Sequence, residues 1–381
     1  MNILLLSSDH STDNYGVTTV VSQLADQLLI SSKEFNVTVL AVGDDAVEQI
    51  PGVNVKLLHL ASIGAFWRWS PGIVKKLDTF VQQNNIQIIH IHGIWMSIQW
   101  AGLLVAKKRN IPCVVSAHGM LGNWFWNEQS TLKKIKKRIY LALIFKPALT
   151  MDTIFHAITL GEVRDINKVF QKNTIKIIPN AIGTICSNSD YKNKMGAFEK
   201  NILFLGRIHP IKGIDLLISA FSSVANQGYK LIIAGPEEDT EYVHILKQII
   251  KQNNIEDKVI FVGPVRGENK HKLIKNAWVV VLPSYSEVMG MVNLEAALCY
   301  TPSITTFETG LVNWEESGGM LVHPTIGNLE KVLAEVINWS EDERIQRGLK
   351  AYDYVQSNFS WDKVITEWKN LYFDALSTNG D

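Results

Sequence analysis

Cysteine is scarce: Cys113, Cys186 and Cys299 are the only thiols in 381 residues. Three scattered thiols allow neither a disulfide framework nor a zinc spacing, which fits a chain held together by burial in a reducing compartment. Net charge is also missing, since 37 basic residues balance 37 acidic ones. Without a basic excess, the chain is not expected to bind nucleic acid. No window approaches the roughly 18 apolar residues of a membrane span, so any contact with a bilayer is expected to be peripheral. The opening MNILLLSSDH lacks a basic n-region and reads as a buried first strand, which points to a cytoplasmic protein. No D-x-D triplet, the usual metal-dependent diphosphate clamp, occurs anywhere. His90 and His92 alternate on an expected strand, but no further ligands stand at suitable spacing. The chemistry is therefore expected to need neither metal nor cofactor.

Apolar residues, by contrast, make up 46% of the chain, ample for globular folding, and 381 residues are more than one core usually supports, so two domains are expected. Short Ile-, Val- and Leu-rich runs alternate with helical stretches, the mark of parallel sheets covered on both faces. In the first half they are 2–6, 37–42, 86–92, 112–117, 153–158 and 175–179. In the second half they are 201–206, 230–235, 258–263, 278–283 and 302–306. The expected fold is α/β, with two Rossmann-like doubly wound domains facing a cleft. The first domain is placed at 1–182, the polar segment 183–200 is the linker, and the second domain is placed at 201–357. The tail 358–381 has apolar residues at 361, 364, 365, 368, 371, 372 and 375, a helical stripe that must pack on something. Residues 1–180 carry a net charge of +6, leaving −6 for the rest. Anything anionic is more at home on the first half.

Ligands of doubly wound sheets sit beyond the carboxyl ends of the strands, so the residues after each strand carry the most information. After 201–206 comes GRIHPIKG, in which Gly206 permits a tight turn and Arg207 and Lys212 can bring two cations to a diphosphate. After 278–283 comes SYSEVMGMVNLE. A helix starting near Gly290 would offer free N–H groups to phosphate oxygens. Glu287 then falls in the loop and Glu295 two turns along the helix, each able to accept sugar or ribose hydroxyls. Acids also favour first turns for electrostatic reasons alone, but Arg207, Lys212, Glu287, Gly290 and Glu295 all fall behind strands of one expected sheet.

GRIHPIKG, LIIAGP and LPSYSEVMGMVNLEAAL, with two glutamates eight positions apart, resemble the retaining glycosyltransferases of family 4. IKIIPNAI (175–182) and CVVSAHGML (113–121) extend the resemblance over nearly the whole chain. SAHGML followed by a lysine-rich helix is most similar to members that build bacterial O-antigens and exopolysaccharides. The resemblance implies a GT-B fold whose tail helix braces the first domain. It also implies a nucleotide-diphosphate-sugar donor and transfer with retained configuration. Arg207 and Lys212 would neutralise the diphosphate, Glu287 would meet the sugar and Glu295 the ribose. The N–H groups of Met289, Gly290 and Met291 would line sugar and phosphate, His118 would face the donor sugar, and Gly16 would lie in the first loop near phosphates or acceptor. Many members read E-P-F-G where this chain has Glu287-Val288-Met289-Gly290, and paired glycines where it has Tyr15-Gly16-Val17. Related scaffolds also serve epimerases, phosphorylases and non-catalytic binding subunits.

The run 131–146, TLKKIKKRIYLALIFK, has six cations and no acid. Leu132, Ile135, Ile139, Leu143 and Ile144 recur at helical spacing, giving a basic amphipathic helix suited to an anionic inner-leaflet surface. A solvated helix covering the core is the alternative. Trp124, Phe125 and Trp126 just before it read as interfacial anchors, a sugar-stacking platform or core. Together these features lead to an expected lipid-linked saccharide acceptor and peripheral membrane association.

Overall fold

The computed structural model describes residues 1–7, 16–42, 53–58, 67, 69–122, 126, 130–183 and 198–377. Contacts divide the chain into one unit of Met1–Asn180 with Trp361–Asp381, and a second of Ala181–Ser360. Most of the expected linker, 184–197, lies outside the described residues, as do Trp124 and Phe125.

The first unit is built on β1 (Asn2–Ser7), β2 (Asn36–Val42), β3 (Asn54–Leu58), β4 (Ile88–His92), β5 (Cys113–Ser116), β6 (Ile154–Ala157) and β7 (Ile175–Ile177). All pair in parallel in the order β3-β2-β1-β4-β5-β6-β7. Its helices are α1 (Val17–Ser31), α2 (Ile73–Gln83), α3 (Ser97–Arg109), α4 (Thr131–Tyr140) and α5 (Leu160–Val169). The second unit uses β8 (Asn201–Leu205), β9 (Lys230–Ala234), β10 (Val259–Gly263), β11 (Val279–Leu282), β12 (Ser303–Thr306) and β13 (Met320–Val322). Its order, β10-β9-β8-β11-β12-β13, is likewise all parallel. Its helices are α6 (Ile214–Phe221), α7 (Thr240–Gln252), α8 (Gly267–Asn276), α9 (Met291–Leu298), α10 (Ile326–Val336) and α11 (Glu341–Phe359).

Central strands such as β4 and β11 are buried at every residue, as strands covered by helices on both faces must be. The two strands the sequence hid, β3 and β13, are at sheet edges. NVKLL and MLV are short, and polar or half-exposed residues break the apolar run that signals an interior strand. In each sheet the winding reverses at one point, between β1 and β4 and between β8 and β11. Crevices form at such points.

The final helix, α12 (Trp361–Ser377), belongs to the first unit. Its buried residues are Trp361, Val364, Ile365, Trp368, Leu371, Tyr372 and Ala375, the same seven as in the sequence stripe. Lys369 at its flank donates to the Ser31 carbonyl at 3.1 Å, tying it to the end of α1. The 131–146 segment is not one regular helix. After α4 comes a π-helical turn, Leu141–Phe145, and then a short α-turn, Lys146–Ala148. No residue of α4 is buried.

Candidate active site

Three loops meet at the switch point of the second sheet, and glycine makes their approach possible. A Cβ on Gly235 would lie 1.7 Å from the Gly206 carbonyl oxygen, and one on Gly213 (φ 64°) would lie 2.3 Å from that of Pro283. Side chains at either position would push apart the ends of β8, β9 and β11. Tyr285 N–H donates to the Ile211 carbonyl at 2.8 Å, so the loop after β11 is bonded to the turn that carries Lys212.

This places Lys212 Nζ 3.0 Å from Glu287 Oε1, with both side chains only 16–17% exposed. Ser284 Oγ donates to the same carboxylate oxygen at 2.5 Å. Arg207 is 57% exposed and pairs with Glu238 of the loop after β9 at 2.8 Å. The structure therefore joins Lys212 to Glu287 and gives Arg207 a separate partner.

Gly290 caps α9, which begins at Met291. Of the three amides expected to hold donor oxygens, two are used within the protein. Gly290 N–H donates to Thr309 O at 3.0 Å, and Met291 N–H to Met289 O at 2.9 Å. A Cβ on Gly290 would meet Asn293 Nδ2 at 2.4 Å, so this corner has no room for a side chain. Glu295 is the fifth residue of α9, about one turn in and not two, since even the five residues from Gly290 span only about 1.4 turns at 3.6 residues per turn. Lys270 of α8 brings its ammonium within 2.8 and 2.6 Å of the two Glu295 oxygens. Ser284, Glu238 and Lys270 were not found by sequence reasoning: Glu238 and Lys270 pair across elements, and Ser284, three residues before Glu287 in the same loop, is one of two serines there with nothing local to single it out. Gly16 precedes α1, with φ −78° and open space around it; residues 8–15 before it lie outside the described set.

The first unit holds His118 in a turn after β5 with φ 51°, a left-handed conformation that a non-glycine residue adopts at a cost. Buried Glu162 holds that turn. Its carboxylate accepts from Gly119 N–H at 2.6 Å and from Ile158 N–H at 2.7 Å, and burial raises its pKa. His118 Nε2 lies 2.9 Å from His92 Nδ1. Burial, helped by the charge of His156, pushes the His118 pKa down to about 3, so the ring is neutral at ordinary pH.

Behind it runs a chain of buried polar groups. His156 Nε2 lies 2.8 Å from the Ile178 carbonyl, which can only accept, so Nε2 carries the proton. Nδ1 of His156 must then accept from Ser116 Oγ, 2.7 Å away. Ser116 in turn accepts from His90 Nε2 at 2.7 Å, and His90 Nδ1 accepts from Tyr372 Oη at 2.8 Å. Every hydrogen bond then runs one way, with both rings neutral. Burial lowers the His90 pKa well below its usual value, that of His156 to about 4, and raises that of Tyr372. Among the described residues, no three His, Cys, Asp or Glu side chains converge as a metal cage.

Two doubly wound parallel-sheet units in one chain, the second with a cation and a carboxylate paired at its switch point, have the architecture of the GT-B fold. Comparison with known proteins agrees. The family model "Glycosyltransferase Family 4" matches residues 15–184, and "Glycosyl transferases group 1" matches 189–355. The chain belongs to this group 1/family 4 glycosyltransferase family, and it is an enzyme of that kind. It is 26% identical to an uncharacterized glycosyltransferase of Methanocaldococcus jannaschii, over 94% of each chain. It is 27% identical to N-acetyl-alpha-D-glucosaminyl L-malate synthase of Bacillus anthracis, covering 80% of this chain and 79% of the relative. The Anabaena protein HepE, solved with UDP and glucose, superposes with a TM-score of 0.73 at 17% identity, over 98% of this chain and all of that one.

Proposed function

We propose that the protein transfers a sugar, with retained anomeric configuration and without a metal ion, from a nucleotide-diphosphate-sugar to a lipid-linked saccharide. The setting is bacterial surface polysaccharide assembly, O-antigen or exopolysaccharide, at the inner face of the cytoplasmic membrane. The observation that carries the donor assignment is the contact between Lys212 and Glu287. An ammonium paired with a carboxylate beside a strand switch point can exchange that partner for a diphosphate, releasing the carboxylate to grip sugar hydroxyls.

Departure of the diphosphate builds negative charge on phosphate and oxocarbenium character on the sugar. Lys212 and Arg207 stabilise the first of these. Glu295, oriented by Lys270, takes the ribose, while the Met289 amide, the backbone of Gly290 and Met291, whose own N–H groups are bonded within the protein, and the turn at Gly206 lie along sugar and phosphate. His118 is assigned to the donor sugar as a neutral hydrogen-bonding ring, and Gly16 to the first loop. The leaving phosphate accepts the acceptor's proton as the acceptor attacks from the same face.

The acceptor side rests on the cationic segment 131–146, and no described helix is long and apolar enough to cross a membrane. HepE was solved with UDP and glucose, which supports a nucleotide-sugar donor here. Thermal midpoints with UDP-, GDP- and dTDP-sugars test the donor assignment. One donor should raise the midpoint of the wild type and do so far less for Arg207→Ala and Lys212→Ala. Equal stabilisation of all three proteins would refute it.

A further inference from the structure

Thr159-Leu160-Gly161-Glu162, at the start of α5, has the pattern of a capping box, in which the cap hydroxyl accepts from the third helical N–H and that residue's carboxylate returns to the cap's own N–H. The first half is present: Thr159 Oγ accepts from Glu162 N–H at 3.3 Å. The second half is redirected. Glu162 Oε2 accepts from Ile158 N–H at 2.7 Å, one residue before the cap. Oε1 leaves the helix and accepts from Gly119 N–H at 2.6 Å, 43 positions away. A carboxylate only 4% exposed is costly to bury, and two amide donors at the positive end of a helix offset that cost. Capping α5 would not require the distant donor.

That donor belongs to the turn that carries His118. His118 and Gly119 both have left-handed backbones, φ 51° and 75°, which glycine adopts freely and histidine at a cost. The peptide plane between them contains the Gly119 N–H, so fixing this N–H on Glu162 sets the direction in which the His118 main chain leaves. Met120 N–H to Ala117 O at 3.2 Å and Gly122 N–H to Gly119 O at 3.0 Å close the turn. The ring is held separately: His118 Nε2 lies 2.9 Å from His92 Nδ1, with the two rings 18° from parallel. Of the two holds, the one on the backbone opposes its strain.

We infer that Glu162 is a positioning residue for the transfer reaction: its carboxylate keeps the His118–Gly119 turn in the left-handed form that presents the His118 ring for its role at the donor sugar. This rests on the assignment of His118 to that sugar. Glu162 is bonded to main-chain N–H groups and acts on the reaction only through His118. Without the carboxylate the turn relaxes towards ordinary φ, and a displacement of about 1 Å in a reacting group can cost up to about 10²-fold in rate.

Two measurements on the full chain test this. In protein isotopically labelled at histidine, the NMR signals of the His118 ring, identified by their loss in His118→Ala, should shift in Glu162→Ala. They should stay in place in Thr159→Ala, which removes the hydroxyl cap of the same helix and leaves the carboxylate. The kinetic measurement is nucleoside diphosphate release from UDP-, GDP- and dTDP-glucose, well below each variant's thermal midpoint. Glu162→Ala should lower kcat about tenfold while the donor KM changes less than about twofold. Glu162→Gln, with one acceptor left for two donors, should fall between wild type and alanine, and carries the same readouts where the alanine variant folds poorly. Thr159→Ala should lower the thermal midpoint alone. In a His118→Ala background, Glu162→Ala should cost less than about twofold, because the residue it positions is gone. Unmoved His118 signals in Glu162→Ala would overturn the inference alone, as would an undiminished loss in the His118→Ala background or an equal loss in Thr159→Ala. Wild-type turnover by His118→Ala would instead refute the assignment of His118 to the sugar, and the inference with it.

Discussion

Behind His118 in the first unit runs a neutral set of buried polar groups: tyrosine, two histidines and a serine, each at 2% exposure or less, pass hydrogen bonds in one direction to a carbonyl. At the switch point of the second unit the polar groups are ionic: Lys212 with Glu287 and Lys270 with Glu295, at 16–25% exposure. The winding order is the same, so topology does not dictate this difference. Neutral groups can be fully buried when every donor finds an acceptor. Ion pairs suffer large desolvation there, and are most useful where a ligand can replace one member. The first arrangement holds shape, and the second is ready for exchange.

The largest expected effect breaks the exchangeable side. Lys212→Ala should lower kcat/KM by about 10²–10³-fold, the usual cost of losing one donor to a developing oxyanion. Steady-state kinetics with the stabilising donor would measure it, and a loss under about threefold would place the diphosphate elsewhere.

Arg344 shows what a buried charge does when nothing exchanges it. This side chain, 1% exposed, donates to the carbonyls of Trp278, Ala277 and Tyr300 at 3.3, 2.8 and 3.1 Å and stacks 3.8 Å from the Phe198 ring. It fastens α11 to the start of β11 and the end of α9. Arg344→Ala leaves these acceptors buried and unmatched, so urea unfolding should show a loss of roughly 3–5 kcal/mol. Tyr372→Phe removes a single donor from the neutral chain and leaves His90 Nδ1 without its proton source. About 1–3 kcal/mol should be lost, with little change in donor affinity.

Acidification sharpens the contrast. Unfolded histidine takes up a proton near pH 6.5, whereas His156 does so only near 4 and His118 near 3. Between these limits the unfolded chain binds more protons. The stability from burying neutral rings is therefore complete above pH 6.5 and is lost as pH falls through 4 and then 3. Each histidine contributes a slope of up to about 1.4 kcal/mol per pH unit. Trp368, with its ring centroid 4.5 Å from that of His156, should report the change by fluorescence. A flat profile from pH 6.5 to 4 would mean the rings are not held neutral.

The sequence carried the central strands plainly, because burial on both faces leaves uninterrupted Ile and Val. It also carried the α12 stripe and the position of Glu287 before the Gly290 cap. Edge strands β3 and β13 lacked that signal. The Lys270–Glu295 pair joins two helices with strand β11 between them, and the Tyr372–His90 contact spans 282 positions. No local period encodes such contacts. The π-helical turn was hidden for another reason: LALIF reads as ordinary helix, and only packing selects the wider turn.

The smallest expected effect on stability concerns a surface that neither unit buries. Leu143 is 72% exposed, so Leu143→Ser gives up little burial and should change the unfolding free energy by no more than about 0.5 kcal/mol. If the apolar stripe of segment 131–146 serves a bilayer, the same substitution should weaken vesicle binding severalfold, because a side chain that enters the interface loses about 0.8 kcal/mol per CH₂ no longer buried there. A stability loss well above 1 kcal/mol would mean instead that Leu143 is covered by protein in the folded state. The stripe would then count with the shape-holding interior of the first unit, and no longer as a surface that meets a ligand.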